Sequence, residues 1–363
     1  MKVQRIRFSD GKQTWLVLDD SYLPVEPILA YIRYIEAREL SPNTIHNYAC
    51  HLKLYWEFLQ DSAQDWRFVK ITQLADFMAW LRLPDTKVVS IQEPFSARSE
   101  RTVNTIITVI CEFYEYHRLS GEPVALDSYT LKAQHGSNFK PFLHHVSKGK
   151  YVRHKRLKLK EPKRHPGFLT SEQVQALIEA CSHKRDKFFI CLLYETGMRV
   201  GQALGLRHSD IRTWDNEIDI IWRDDNTNGA RSKSKVSNTL HVPKELMSLY
   251  TQYLVDEYPV EVGSDYVFVN CWGGEIGRPL QYQNASELLE RLGKQVGIDI
   301  NAHLFRHTHA TELIREGWDM SRVQKRLGHA NIQTTMNTYV HLTDADMKKE
   351  YQKYLASKEN NNE

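Results

Sequence analysis

Two periods organise the apolar positions of this chain. A two-residue alternation runs through residues 3–8 and again through 14–18, either side of Ser9-Asp10-Gly11-Lys12, where Asp-Gly supplies the turn of a small β-hairpin. Beyond it the period lengthens to that of an α-helix. Ile28, Ile32 and Ile35 mark a first helix. Ser41-Pro42 starts a second, with a hydroxyl to cap it and proline at its first position, and Ile45, Tyr48, Leu52, Tyr55, Trp56 and Leu59 follow at helical spacing. Leu74, Phe77, Met78 and Leu81 form a third after Thr72, and Val103, Ile106, Ile107, Ile110, Phe113 and Tyr114 a fourth from near Ser99. The pattern predicts a hairpin over residues 1–20 and a helical domain over 21–121.

The pattern weakens over residues 122–167, where Gly, Pro, His and basic residues dominate, so this stretch reads as a basic interdomain linker. A second domain is expected over 168–350. Thr170-Ser171-Glu172-Gln173 has the form of a capping box ahead of Leu177 and Ile178, and a further helix over about 184–195 stops at Gly197. Ile218, Ile220 and Trp222 alternate, as do Leu240 and Val242, predicting a strand pair around the turn-rich Asp224–Gly229. Helices resume over 243–257, 281–296, 302–316, 320–327 and 332–342, and a polar tail, 351–363, ends the chain. The fold class is therefore mainly α with a small β-sheet.

Charge changes this picture. The net charge of 363 residues is only +3, yet nine Lys or Arg and a single acid, Glu161, lie between Lys148 and Arg164, leaving the remainder net acidic. So concentrated a basic stretch points to a polyanionic partner; a solvated linker is the plainer reading. Cys50, Cys111, Cys181, Cys191 and Cys271 show no CxxC spacing and read as free thiols of a reducing cytoplasm. No stretch approaches ~18 uninterrupted apolar residues, so no membrane span is expected.

The candidate chemistry lies in the second domain. His303 and Arg306 stand three apart on one helix, and a guanidinium fork beside a donor suits a phosphate. Arg199 follows Gly197 where a turn leads into a helix start, itself an anion-attracting position. Lys233 and Lys235 sit on the expected hairpin, His329 follows a helix stop at Gly328, and Tyr339 comes ten residues later. Singly, each is more often structural; the ordered set is what carries information.

That set, Glu195-Thr196-Gly197-Met198-Arg199, His303-Leu304-Phe305-Arg306-His307-Thr308, Leu327-Gly328-His329 and Asn337-Thr338-Tyr339, resembles the signature boxes of the tyrosine recombinases, the phage and transposon integrases. The resemblance implies a SAM-like helical core-binding domain and a mixed α/β catalytic domain of the DNA breaking-rejoining type. It implies that Arg199 and Arg306 clamp the scissile phosphate, that His303 and His329 donate to it or handle its protons, and that Tyr339 attacks phosphorus to form a 3′-phosphotyrosyl link. A hairpin lysine, Lys235 or Lys233, would protonate the leaving 5′-oxygen. No cofactor, metal or ATP is implied, and the partner is double-stranded DNA, joined by a homotetramer on paired sites, with accessory recombination proteins left open.

One position departs from the family pattern: Gln202 stands where an acid usually follows the first arginine, which predicts a less constrained Arg199 or lysine. For DNA contacts the expected residues are Asn43, His46, Asn47 and Lys53 on the second helix and Lys155, Arg156, Lys158 and Lys160 in the basic stretch. Competing readings are a metal-dependent hydrolase built on His303, His307 and His309, a DNA-binding accessory protein without catalysis, and a type IB topoisomerase.

Overall fold

The computed structural model describes residues 1–7, 13–83, 97–133, 151–162, 167–223, 225–232, 237–328 and 351–352. The chain divides into two compact units, Met1–Lys163 and Arg164–Glu363.

The first unit opens with strand β1 (Lys2–Arg7) paired antiparallel to β2 (Gln13–Leu18), Val3 opposite Val17. Helices α1 (Glu26–Ala37), α2 (Pro42–Asp61), α3 (Ile71–Trp80) and α4 (Glu100–Leu119) follow. Ser41 accepts from the Thr44 amide and Ser99 from the Thr102 amide, so both long helices begin at a hydroxyl cap. Ile28, Ile32 and Ile35 of α1 meet Leu52 and Tyr55 of α2, Leu74 and Phe77 of α3 and Ile106, Ile110 and Phe113 of α4 in one core. The buried Tyr55 and Tyr114 hydroxyls bond each other at 2.7 Å, and Tyr114 donates onward to the Trp66 carbonyl.

The stretch expected to be a bare linker is ordered in its described parts. Strand β3 (Tyr129–Ala133) pairs antiparallel with β4 (Tyr151–Lys155), and Leu157 and Leu159 pack against the helical core while Lys158 and Lys160, alternating with them, stay exposed. Asn104 of α4 holds that run by both faces of its amide, donating to the Leu159 carbonyl at 3.0 Å and accepting from its N–H at 2.8 Å. Basic residues masked the underlying alternation of Leu157 and Leu159 in the sequence.

In the second unit, helix α5 (Ser171–Glu179) starts at Thr170, whose hydroxyl accepts from the Gln173 amide while the Gln173 side chain reaches back to the Thr170 N–H. Helix α6 (Lys184–Thr196) runs through the core: Phe188, Phe189, Ile190, Leu192 and Leu193 are all buried. It ends at Gly197, in the left-handed region at φ 59°. A one-turn helix, α7 (Val200–Ala203), follows. The sheet has three antiparallel strands in the order β5 (Ile211–Arg212), β6 (Glu217–Ile220), β7 (Asn238–His241), with Ile218 opposite Leu240 on its buried face. Trp222 lies beyond β6 rather than within it. Helices α8 (Lys244–Asp256), α9 (Tyr282–Val296), α10 (Ala302–Arg315) and α11 (Met320–Leu327) complete the described unit. The helix expected over 332–342 and the tail beyond Lys353 lie outside the described residues. No helix among the described residues is long and apolar enough to cross a membrane.

Candidate active site

Gly197 is where the elements of the site meet. Its positive φ turns the chain out of α6, and a Cβ there would come within 2.9 Å of both His309 on α10 and Leu327 on α11. Only glycine satisfies both demands, so the close approach of three elements is written into one residue.

Arg306 fixes that approach. It is 4% exposed, and its guanidinium donates to the Gly197 carbonyl at 2.8 Å and the Leu327 carbonyl at 2.7 Å. These carbonyls belong to the ends of α6 and α11, where carbonyls lack N–H donors within their own helices and a cation is favoured. Arg306 thereby joins the segment carrying Arg199 to the segment entering His329. His303, one helical turn earlier, is exposed in the first turn of α10, which Asn301 caps through the Leu304 amide.

Arg199 occupies the residue before α7, and its carbonyl accepts from the Gln202 amide at 2.8 Å and the Ala203 amide at 3.0 Å. Its own N–H donates to Gln202 Oε1 at 2.9 Å, and Gln202 Nε2 approaches Ser232 Oγ at 3.4 Å. Gln202 thus ties the Arg199 backbone, its amide carbonyl accepting the hydrogen bond a carboxylate would; the expectation for the lysine falls on residues outside those described. Gly201 adds a second tie, since its Cα passes so near the Arg231 carbonyl that a Cβ would sit 2.5 Å from the oxygen. The Arg199 guanidinium is different. Its Nη1 is buried with no hydrogen-bond partner among the described residues, and burial pulls its pKa below the usual arginine value. A desolvated cation edge without an acceptor is costly in a folded protein and is an anion-accepting arrangement.

One residue that sequence reasoning did not assign, Arg326, completes the framework together with His309. Arg326 donates through Nε to His309 Nε2 at 2.9 Å and through Nη2 to the Glu195 and His241 carbonyls, each at 3.1 Å. Burial, with Arg326 beside it, drives the His309 pKa down to about 3, and burial with His303 and Arg306 nearby takes His307 to about 4. Both rings are neutral at pH 7. A hydrolase metal on His303, His307 and His309 is disfavoured, because the lone pair of His309 Nε2 already faces the Arg326 N–H.

Lys233, Lys235, His329 and Tyr339 lie outside the described residues. On α2, Asn43 and Asn47 are exposed, whereas His46 packs against Trp15 with ring centroids 4.0 Å apart and planes tilted 31°, and Lys53 pairs with Glu57 at 2.8 Å. In the basic run, Lys155 donates to Thr108 and Arg156 pairs with Asp127 at 2.7 Å.

Comparison with known proteins adds to this geometry. A sequence model of the phage integrase family matches residues 167–346, and one of the phage integrase N-terminal SAM-like domain matches residues 28–118. Transposase A from transposon Tn554 of Staphylococcus aureus is 47% identical over 361 residues, covering 99% of either chain. Tyrosine recombinase XerD of Halalkalibacterium halodurans is 34% identical over 199 residues, 53% of this chain and 62% of that protein. Among solved structures, the Tn1549 transposon integrase in complex with a circular intermediate DNA shares the fold at a TM-score of 0.61 and 16% identity, over 90% of this chain and 99% of that one.

Proposed function

The chain belongs to the phage integrase family, the tyrosine recombinases that cut and rejoin DNA, and we propose that it moves a transposon by transesterification at Tyr339. In this reading the Tyr339 phenol gives its proton to His303 or His329 as its oxygen attacks a backbone phosphorus, a 3′-phosphotyrosyl bond forms, and the 5′-oxygen leaves, taking a proton from Lys235 or Lys233. The reverse attack by a 5′-hydroxyl of another strand restores the phosphodiester and frees the tyrosine. Bond energy is held in the covalent intermediate, so rejoining needs no ATP.

The observation that carries the proposal is the buried Arg199 Nη1 without an acceptor among the described residues, at a helix start tied by Arg306 to the chain entering His329. Negative charge builds on the non-bridging phosphate oxygens during attack, and fixed donors aimed at that charge lower the barrier. Arg199 and Arg306 would supply guanidinium donors and His303 and His329 imidazole donors, a set able to stabilise the charge without a metal. The substrate is double-stranded DNA, gripped through phosphates, with a homotetramer pairing two sites; at 47% full-length identity, the Staphylococcus aureus transposase supports transposition as the outcome.

The test is covalent capture. The wild-type chain is incubated with a library of nicked duplexes in EDTA, and protein–DNA adducts are isolated and sequenced. A discrete set of captured sites is expected, with no adduct from Tyr339→Phe and undiminished DNA binding by that variant. An adduct surviving in Tyr339→Phe, or capture lost on chelation, overturns the mechanism. Plasmid relaxation without site preference would instead favour topoisomerase action.

A further inference from the structure

Arg326 spends its guanidinium on three elements at once: the imidazole of His309 on α10, the Glu195 carbonyl in the last turn of α6 and the His241 carbonyl at the end of β7. All three of these acceptors are neutral. A guanidinium more than half removed from water, with no carboxylate among the described residues in hydrogen-bond contact, costs more than an apolar side chain filling the same space. What arginine supplies is a planar fork that reaches several acceptors in fixed directions.

The position of the residue gives that reach a purpose. Arg326 precedes Leu327 and Gly328, and Gly328 turns the chain at φ 64° immediately before His329. The same helix end is held from two other sides. Arg306 donates to the Leu327 carbonyl, and the Asn238 amide, at the start of β7, lies 3.3 Å from the Lys325 carbonyl and 3.5 Å from that of Arg326. His309 is suited to its part because burial keeps it neutral, and its other ring nitrogen faces the Tyr194 backbone, leaving Nε2 as acceptor. The titratable and charged groups facing the pair are Arg306, Glu195 and Glu312, and Tyr194 donates to Glu312 at 2.9 Å.

We infer that Arg326 and His309 form a clasp that positions the chain entering His329, making Arg326 a positioning residue for strand cleavage that does not itself grip DNA. This rests on the reading of His329 and Tyr339 as site residues, and it extends that reading to a pair outside the signature boxes. The clasp acts by removing freedom from the last turn of α11, so that the imidazole and phenol that follow meet a phosphate held at Arg199. Preorganisation of this kind changes the rate of the chemical step at saturating substrate more than affinity.

The experiment uses the full chain and a nicked duplex captured by the wild type, under single-turnover conditions. Arg326→Lys keeps the charge but offers one ammonium in place of the fork. His309→Gln keeps an acceptor near the position of Nε2, while His309→Phe keeps bulk without one. Expected are adduct rates at saturating DNA lowered at least tenfold in Arg326→Lys and His309→Phe, a rate within threefold of wild type in His309→Gln, and Kd within twofold throughout. Arg326→Lys cleaving within twofold of wild type overturns the clasp. So does a rate loss matched by an equal loss of affinity, which would make Arg326 a DNA contact. Equal behaviour of His309→Gln and His309→Phe, or a melting-temperature loss with a normal rate in the folded fraction, overturns it as well. Tyr339→Phe runs alongside: an adduct from that variant sinks the nucleophile assignment, whereas its absence together with normal cleavage by Arg326→Lys sinks only the clasp.

Discussion

Removing Arg306 and removing Arg199 should slow the same reaction while affecting the fold in opposite ways. Arg306 is buried and satisfies the Gly197 and Leu327 carbonyls at 2.8 and 2.7 Å. Arg306→Ala leaves two buried acceptors, each costing about 1–3 kcal/mol, so a loss near 4 kcal/mol is expected. For a unit of this size that lowers the melting temperature by roughly 8–16 °C. Arg199 offers nothing comparable: its Nη1 has no partner among the described residues, and its charged form is desolvated. Arg199→Ala should therefore melt at or slightly above the wild-type temperature. Both variants should form covalent adduct at least about 100-fold more slowly, the usual effect of losing one donor to a developing oxyanion. Calorimetry on the two purified variants, followed by single-turnover adduct formation below either melting point, checks all three numbers. An Arg306→Ala protein melting within about 2 °C of wild type, or an Arg199→Ala protein as destabilised as Arg306→Ala, would refute the division between a structural and an unsatisfied arginine.

Other outcomes follow from the same geometry. Gly201→Ala pushes a methyl to 2.5 Å from the Arg231 carbonyl oxygen, and because both sides are backbone it should cost roughly 1–3 kcal/mol in chemical denaturation and slow adduct formation by disturbing Arg199 and the run entering Lys233. His309 has a folded-state pKa of about 3 against 6.5 for the free ring, so the unfolded chain protonates first. Its contribution is complete above about pH 6.5 and is lost as pH falls, amounting to roughly 3 kcal/mol by about pH 4. Melting curves across that range should fall less steeply for His309→Gln than for wild type, and parallel curves would contradict the burial argument. Lys158 and Lys160 are exposed, whereas Lys155 and Arg156 have partners within the first unit. Replacing both Lys158 and Lys160 with Gln should weaken binding to every duplex alike and reduce the slope of log Kd against log salt by about 2; loss at one sequence only would show base readout instead.

The helices were legible because each buries a stripe long enough to impose its period, as Ile45, Leu52, Tyr55 and Leu59 do on α2. Short elements were not. The four residues of α7 and the two of β5 are defined by their neighbours, Gly201 against Arg231 and Ile211 against Ile218, rather than by any local pattern. The basic stretch misled for a related reason: Leu157 and Leu159 are two apolar side chains among charges, and the Asn104 amide that holds them is 55 positions away from Leu159. In the site, the signature boxes named Arg199 and Arg306 but gave no means of telling which is anchored and which is left unsatisfied. Arg326 was invisible because its acceptors, apart from His309, are backbone carbonyls, which carry no residue identity at all.

That last point explains how so few signature residues can organise a catalytic unit of mixed architecture. Helix ends present carbonyls whatever their sequence, and an arginine from another element that satisfies them fixes geometry without demanding a particular partner side chain. Arg306 and Arg326 both work in this way on the end of α6, one at Gly197 and the other at Glu195. Elsewhere on α6 the constraints are core packing and side-chain ties such as Tyr194 to Glu312 and Asp186 to Arg291, while at the Gly197 turn three elements meet on one backbone. Two residues after the capped Gly197 carbonyl, the Arg199 Nη1 is left without an acceptor among the described residues. A site arranged this way is most stable when something anionic occupies it, so ligand and fold are coupled: a phosphate-bearing duplex should raise the melting temperature of the wild-type chain more than that of Arg199→Ala.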